Sequence, residues 1–400
     1  MPEAVIVATA RTPIGRANKG SLVECRPDDL SGLIISAVLA KVPNLDPSLV
    51  EDVIWGCGQP AGEAGTNVGR VAGILAGLDV PGVTVNRYCS SSLQTIRMAA
   101  HAIKAGEGDI FISGGVETVS RFQYGAADTG SPNGKFSEAH DRTKARSEGG
   151  QPPWTPPVGF PDVYIAMGQT AENVREIEGV TRQEMDEFAA RSQDLAVTAQ
   201  ENGFFEREIT PVTLADGTVV SKDDGPRAGT TVEKLATLKP VFRPDGEVTA
   251  GNACPLNDGA AAVVVMSDTK AKELGITPLA RIIASGVSAL DPEIMGLGPI
   301  GASRQALQRA GLTIDDIDLA EINEAFAAQA IPSAKHLGIP MEKLNVHGGA
   351  IALGHPFGMT GARIMTTLIN GLQTDGKRYG LETMCVGGGQ GMAMIVERLN

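Results

Sequence analysis

Aromatic residues make up only 4% of this 400-residue chain, and its 34 Lys and Arg are outnumbered by 47 Asp and Glu. The net charge of −13 excludes a typical nucleic-acid binder, which would carry a basic face, and obliges any anionic substrate to find a local basic patch. No apolar run approaches the roughly 20 residues of a membrane span. The five cysteines, at positions 25, 57, 89, 254 and 385, are odd in number and never form C-x-x-C. That excludes a zinc ribbon and argues against a disulfide framework. The five histidines lack H-E-x-x-H or similar spacing, so no metal is expected. The opening MPEAVIVATARTPIG enters a strand-like run without a basic leader or cleavage site, and the closing VERLN is not a peroxisomal address. These absences predict a reducing, cytoplasmic setting.

Glycine, by contrast, is abundant at 49 residues and points to tight turns and close backbone approaches. A hydrophobic fraction of 42% and a charged fraction of 20% are those of a globular protein, long enough for two or three domains. Strand-like runs (AVIVATA, VEDVIWG, DIFISGG, then AAVVVMS, ARIIASG, GMAMIVER) alternate with helical ones, as in α/β layers. The two ends also echo each other. DLSGLIISAVLAKVPNLDPSLVEDVIWG and GASRQALQRAGLTIDDIDLAEINEA both read as helix, turn, acidic helix start and strand. LQTIRMAAHAIKAGEGDIFISGGVE is echoed by ARIMTTLINGLQTDGKRYGLETMCVGGGQ, which would set Ser113-Gly114-Gly115 against Val386-Gly387-Gly388. Two correspondences in the same order imply a duplicated half.

Between the echoes the texture changes. QPPWTPPVGFP is too proline-dense for regular structure. TRQEMDEFAARSQDLAVTAQENG predicts a helix with a Thr181/Glu184 capping box and an apolar face of Met185, Phe188, Ala189, Leu195, Ala196 and Ala199. ITPVTLADGTVV predicts a hairpin. Residues 120–249 are therefore expected to be an insertion laid over the first half. Residues 1–119 with 250–274 would form the N-terminal half, and 275–400 the C-terminal half.

Residues able to do chemistry sit in glycine- or serine-flanked loops. In TVNRYCSSSLQTIRMAAHAIKAG, Val83 and Val85 alternate as in a half-buried strand, while Leu93, Ile96, Ala100 and Ile103 follow a helical period that Gly106 can end. Cys89 falls at the junction, where unpaired N–H groups and the positive end of the helix dipole favour thiolate over thiol. A small core cysteine would fit the same stretch equally well. NVHGGAIALGHPFGMTGAR places His355 in a loop with Pro356 set to begin a helix. MCVGGGQGMA places Cys385 at a strand end, and EINEAFAAQA holds Asn323 and Glu324 where a strand gives way to a helix. Singly, these could be a core histidine, a strand filler and a helix cap. GGGQG lacks the lysine and hydroxyl of a phosphate-binding loop.

Taken together, NRYCSSSLQ, NEAFAAQ, GGAIALGHPFGMTGAR and CVGGGQG resemble, in order and spacing, the four catalytic-loop motifs of the thiolase family, the acetyl-CoA C-acyltransferases. GNACPLNDGAAAVV is similar to a further segment of that family, and the resemblance spans essentially the whole chain. It implies a five-layered αβαβα fold of two similar halves with an inserted loop domain. It also implies cleavage of a 3-ketoacyl-CoA by CoA, or the reverse Claisen condensation, through an acyl-cysteine. Cys89 would be the nucleophile, His355 would take its proton, and Cys385 would move the second proton. A thiol suits that last task because its reference pKa, about 8.5, lies near working pH. One oxyanion would be held by the N–H groups of Cys89 and Gly387, the other by His355 and a water on Asn323. Such donors are worth ~3–4 kcal/mol each.

Coenzyme A is implied as substrate and product, with no tightly bound cofactor, and the insertion is expected to carry it. From Ser221 to Arg243, five basic residues (Lys222, Arg227, Lys234, Lys239, Arg243) face three acidic ones (Asp223, Asp224, Glu233). By resemblance Arg227 lies against the adenine and Met167 borders the acyl thioester. Ala166 replaces a histidine common in short-chain biosynthetic members, which favours a degradative role. Cys254 and Pro255 depart from the serine and glycine usual there, so a hydrogen bond to the pantetheine arm should be weakened. The family implies a homodimer or homotetramer. A decarboxylating ketoacyl synthase would carry a second histidine in place of Cys385. Retention of all four chemical side chains disfavours a non-catalytic acyl-CoA carrier or scaffold.

Overall fold

The computed structural model describes residues 2–127 and 130–400; Met1 and residues 128 and 129 of the expected insertion lie outside them. The first-half strands are β1 (Ala4–Arg11), β2 (Asp52–Gly56), β3 (Gly82–Val85), β4 (Ile110–Thr118) and β5 (Asn257–Ser267). The second half supplies β6 (Ala280–Ala289), β7 (Leu319–Ile322), β8 (Tyr379–Val386) and β9 (Gln390–Arg398). Hydrogen bonding orders them β7-β8-β9-β6-β1-β5-β4-β2-β3. In the first half β2 and β4 run parallel, then β4–β5 and β5–β1 antiparallel. In the second, β7 and β8 run parallel, then β8–β9 and β9–β6 antiparallel. The same run of pairings occurs twice, and the halves join through Val5↔Arg281 and Ile6↔Ala280.

The main helices are α1 (Pro27–Ala40), α2 (Val68–Leu75), α3 (Ser91–Ala105), α4 (Ser137–Ser147), α5 (Met167–Glu178), α6 (Arg182–Glu201), α7 (Gly298–Ala310), α8 (Ala327–Leu337) and α9 (Thr360–Thr374). Strand β5 shows how they stack. Ala261, Val263 and Val265 enter a central core with Leu93 and Ile96 of α3 and Ile364 and Leu368 of α9. Ala260, Ala262, Val264 and Met266 meet Ile34, Ile35 and Val38 of α1 on the other face. In β9, Met392, Met394 and Val396 join the central core, while Ala393 and Ile395 face α7 and α8. Burial on both faces explains why these strands read as unbroken apolar runs. The result is the five-layered αβαβα arrangement, with α3 and α9 as the middle layer. They approach closely at Gly361, where a Cβ would lie 2.3 Å from the Leu93 nitrogen.

Three expectations need correcting. The helices of the insertion pack on the second half. Met185, Phe188 and Ala189 of α6 and Ala171 of α5 share a core with Phe326, Ala327, Ala330 and Ala334. The hairpin of the insertion does meet the first half, where Val212 joins the core of Ile34 and Val53, and Arg11 pairs there with Glu208 and Asp223, each at 2.8 Å. The two glycine clusters also differ in position. Gly114 and Gly115 lie inside β4, where a Cβ on Gly115 would meet the Gly358 carbonyl oxygen at 2.1 Å. Gly387 and Gly388 lie beyond the end of β8, with Gly388 in a turn at a φ of +77°. Composition matched them; packing uses one pair and chain reversal the other. Finally, α9 begins at Thr360, and Pro356 heads the turn before it, its carbonyl accepting the Met359 and Thr360 N–H groups.

Candidate active site

Cys89 lies on a sharp elbow between β3 and α3. Tyr88 has a φ of +43°, a region L-residues avoid, at a cost of ~1–3 kcal/mol. The surrounding hydrogen bonds hold it there. Asn86 Oδ1 accepts the Tyr88 N–H at 2.8 Å. Ser91 Oγ accepts the Arg87 N–H at 2.9 Å and donates to the Tyr88 carbonyl at 2.7 Å. Ser92 Oγ accepts the Ala362 N–H at 2.9 Å and so ties α9 to α3. The serines after Cys89 are thus small helix-start residues that also fasten the elbow.

Cys89 is 9% exposed. Burial pushes its thiol up to about 11, although the Gly387 N–H and its own N–H both reach the sulfur and pull the other way. The expected bias toward thiolate is present and is outweighed. Cys385, fully buried near the end of β8, is pushed well above the ordinary thiol range by burial, then by Cys89 and Cys254. It is therefore a thiol, not a group poised near neutrality. Cys254 is partly buried and raised by burial and by Cys89, and its N–H donates to the Ala325 carbonyl at 3.0 Å. Three thiols thus share one interior.

His355 is held from both sides. Its N–H donates to Asn257 Oδ1 at 2.9 Å. Thr360 Oγ1 lies 2.6 Å from Nδ1 and gives its own proton to the Pro356 carbonyl at 2.8 Å, so it can only accept from Nδ1–H. Nε2 is then the bare nitrogen, and Asn323 Nδ2 donates to it at 3.3 Å. Burial, reinforced by the Arg363 charge, drives His355 down to about 3, so the ring is a neutral imidazole whose Nε2 lone pair is an acceptor. Asn323 is in turn fixed by its N–H to the Thr383 carbonyl at 3.0 Å and by Gln329 Nε2 on its own carbonyl at 2.6 Å. Glu324 is tied to the segments around it. Its carboxylate accepts from Ser192 Oγ, Asn345 Nδ2 and the Ile351 N–H, at 2.6, 2.8 and 3.1 Å.

Gly387 is flanked by two side chains. A Cβ built on it would lie 3.6 Å from the Tyr88 ring and 3.7 Å from Met167 Sδ. Met167, at the start of α5, therefore borders the nucleophile loop. Arg227 stands on the exposed surface of the insertion, its N–H donating to Gln193 Oε1 at 2.8 Å. It is close enough to Arg16 to lower that guanidinium's pKa, after burial. Arg243 is buried and consumed internally, donating to Gln169 Oε1 at 2.7 Å and pairing with Glu176 at 2.8 Å. The basic excess read from composition is thus redistributed: Arg243 braces α5, and Asp223 is spent on Arg11. Tyr88, Thr360 and Arg16 escaped the sequence reading. Tyr88, inside NRYCSSSLQ, and Thr360, inside GHPFGMTGAR, lay in stretches already singled out; Arg16 did not.

The family model for the N-terminal domain of thiolase matches residues 4–269, and that for the C-terminal domain matches residues 276–398. A beta-ketoadipyl-CoA thiolase of Acinetobacter baylyi is 44% identical over 410 residues, covering 100% of both chains. A 3-ketoacyl-CoA thiolase of Aeromonas salmonicida is 44% identical over 409 residues, again covering 100% of both. The crystal structure of the Bacillus anthracis acetyl-CoA acetyltransferase matches with a TM-score of 0.87 at 41% identity, over 100% of this chain and 99% of that one.

Proposed function

The chain belongs to the thiolase family and is an acyltransferase, and we propose that it runs thiolytic cleavage of 3-ketoacyl-CoA with the residues gathered around Cys89. As Cys89 attacks the 3-keto carbon, its proton passes to His355 Nε2. The Cys89 and Gly387 N–H groups, already aimed at the sulfur, receive the oxygen of the tetrahedral adduct. The C2–C3 bond then breaks. Its electron pair becomes the acetyl-CoA enolate, whose oxygen is held by His355 Nε2–H and a water on Asn323, and Cys385 gives the proton to carbon. CoA next attacks the acyl-Cys89 thioester and yields its own proton to the Cys385 thiolate. Cys89 leaves as thiolate and recovers its proton from His355. Protons and charge balance over the cycle.

Two N–H groups acting on a buried thiol that also faces Cys385, together with a histidine tautomer that leaves Nε2 as the acceptor, carry this reading. It is tested by incubating the protein with acetyl-CoA. One acetyl mass per chain should appear on the peptide containing Cys89; labelling elsewhere, with Cys89→Ala still active, would sink it.

CoA is read as substrate and product, with Arg227 and Arg16 toward its adenine end and Cys254 and Met167 toward its thioester. The division into 1–119 with 250–274, 120–249 and 275–400 stays with this proposal. A degradative role, such as fatty acid β-oxidation, is supported by Ala166 in place of a histidine, and a cytoplasmic setting stays with this proposal. A kcat/KM series over acyl chain lengths, including ring-bearing acyl groups, would define the substrate. A homodimer or homotetramer is supported by β3, which ends the sheet among the described residues and carries the exposed Val83.

A further inference from the structure

Glu117, near the end of β4, takes no part in the chemistry above, yet it is ionisable and 1% exposed. Its Oε2 accepts the N–H groups of Gly58 at 2.8 Å and Gly358 at 2.9 Å. Its Oε1 accepts the Gln59 N–H at 3.1 Å, with the Cys57 thiol at 3.8 Å. Gly58 and Gln59 follow β2 in the first half, whereas Gly358 belongs to the second-half turn between His355 and α9. One carboxylate therefore fastens the histidine loop of one half to the sheet of the other. Backbone contact around it is tight. A Cβ on Gly358 would lie 2.2 Å from the Val116 carbonyl oxygen and 2.8 Å from that of Gly56. Within this turn the Phe357 ring meets the His355 ring edge-on at 5.2 Å, and Thr360 sets the His355 tautomer.

We propose that Glu117 is a positioning residue for acyl transfer, clasping Gly358 so that His355 Nε2 stays where the Cys89 proton is delivered. The proposal rests on the assignment of Cys89 and His355 made above. The clasp uses Glu117 as an acceptor at both oxygens, which an ionised carboxylate supplies with no proton competing for the Oε1 side. Burial holds Glu117 up to about 7 against those hydrogen bonds. The groups facing it are the Cys57 and Cys89 thiols. Glu63 and Arg121, paired with each other at 2.6 Å, line the same recess. The Glu117 charge also raises Cys89, after burial and against the two N–H groups.

Two variants separate the clasp from the charge. Glu117→Gln keeps the length but has a single acceptor oxygen and no charge. Glu117→Asp keeps the charge and falls one methylene short of Gly358. Both should lower kcat for 3-ketoacyl-CoA thiolysis by ~10–100-fold, with KM for CoA changed less than about threefold. The pH midpoint of Cys89 alkylation by iodoacetamide, followed on its peptide, should fall in Glu117→Gln and stay in place in Glu117→Asp. A thiol that becomes easier to ionise while turnover drops is not what a general loss of fold produces. Turnover within twofold of the parent in both variants overturns the proposal, as does a loss of alkylation rate and thermal stability in step with kcat. If Glu117→Gln does not fold, the kcat-against-KM split in Glu117→Asp decides. Absence of acetyl label on Cys89 in the parent protein would instead overturn the underlying site assignment.

Discussion

The two halves of the molecule share one strand order and one use of the central helices, yet they supply opposite chemistry. The first half places a nucleophile on the elbow before α3; the second places a base in the turn before α9. Their surroundings differ accordingly. The elbow is strained and open enough to leave Tyr88 46% exposed, whereas His355 is enclosed and fixed at both ring nitrogens. Burial acts on both and in opposite directions, because it always favours the uncharged form. It pushes the Cys89 thiol up to about 11 and His355 down to about 3. The resting pair is therefore thiol and imidazole. A strand-to-helix elbow before one central helix and a turn between two helices before the other thus supply the donor and the acceptor of one proton.

The largest effects should come from breaking the division of labour. Cys385→Ala leaves the first-half nucleophile and its base intact, so acetyl transfer from acetyl-CoA to Cys89 should persist while thiolysis and condensation fall by ~10³–10⁴-fold. His355→Ala should slow the acylation itself by a comparable factor. Near-normal turnover in Cys385→Ala would show that the second half contributes one proton carrier, not two.

The neutral resting pair can be read directly. In the unliganded protein, the pH midpoint of Cys89 alkylation should lie well above the free-thiol value of about 8.5. A midpoint below 7 would mean a thiolate–imidazolium pair, with the two N–H groups and the helix dipole prevailing over burial. A smaller loss is expected on freeing the tautomer. Thr360→Val removes the acceptor for His355 Nδ1–H at nearly constant volume, and should reduce kcat about tenfold with little change in KM. The smallest effect concerns Cys254. Cys254→Ser restores a strong donor where a weak one stands, and since a neutral hydrogen bond nets ~0.5–1.5 kcal/mol, KM for CoA substrates should fall several-fold with kcat nearly unchanged. A large kcat loss with Cys89 still acylated would make Cys254 a third reacting thiol.

Much of this was legible from residue order. The apolar period of 93–103 marked α3, Gly106 ended it at φ +78°, and Thr181 with Glu184 formed the reciprocal cap of α6. These are local signals, carried within a few residues of where they act. The hairpin strand at Val212 does lie on the first half, but the insertion's helices went to the second because an apolar helix face records that something covers it, without naming what. Arg243 was counted toward CoA because composition cannot distinguish a guanidinium facing solvent from one buried against Gln169 and Glu176.

By itself the sequence determined the repeated α/β halves, the four loops, and the residue types able to pass an acyl group and two protons, because periodicity, caps and motif spacing are written along the chain. The tertiary structure alone decided which forms those residues take at rest. Burial set Cys89 and Cys385 as thiols and His355 as a neutral ring, and Thr360 chose its tautomer. Glu117 became the clasp of a loop 241 positions away. Protonation and placement depend on solvent exclusion and on partners remote in sequence, and neither exists until the chain has folded.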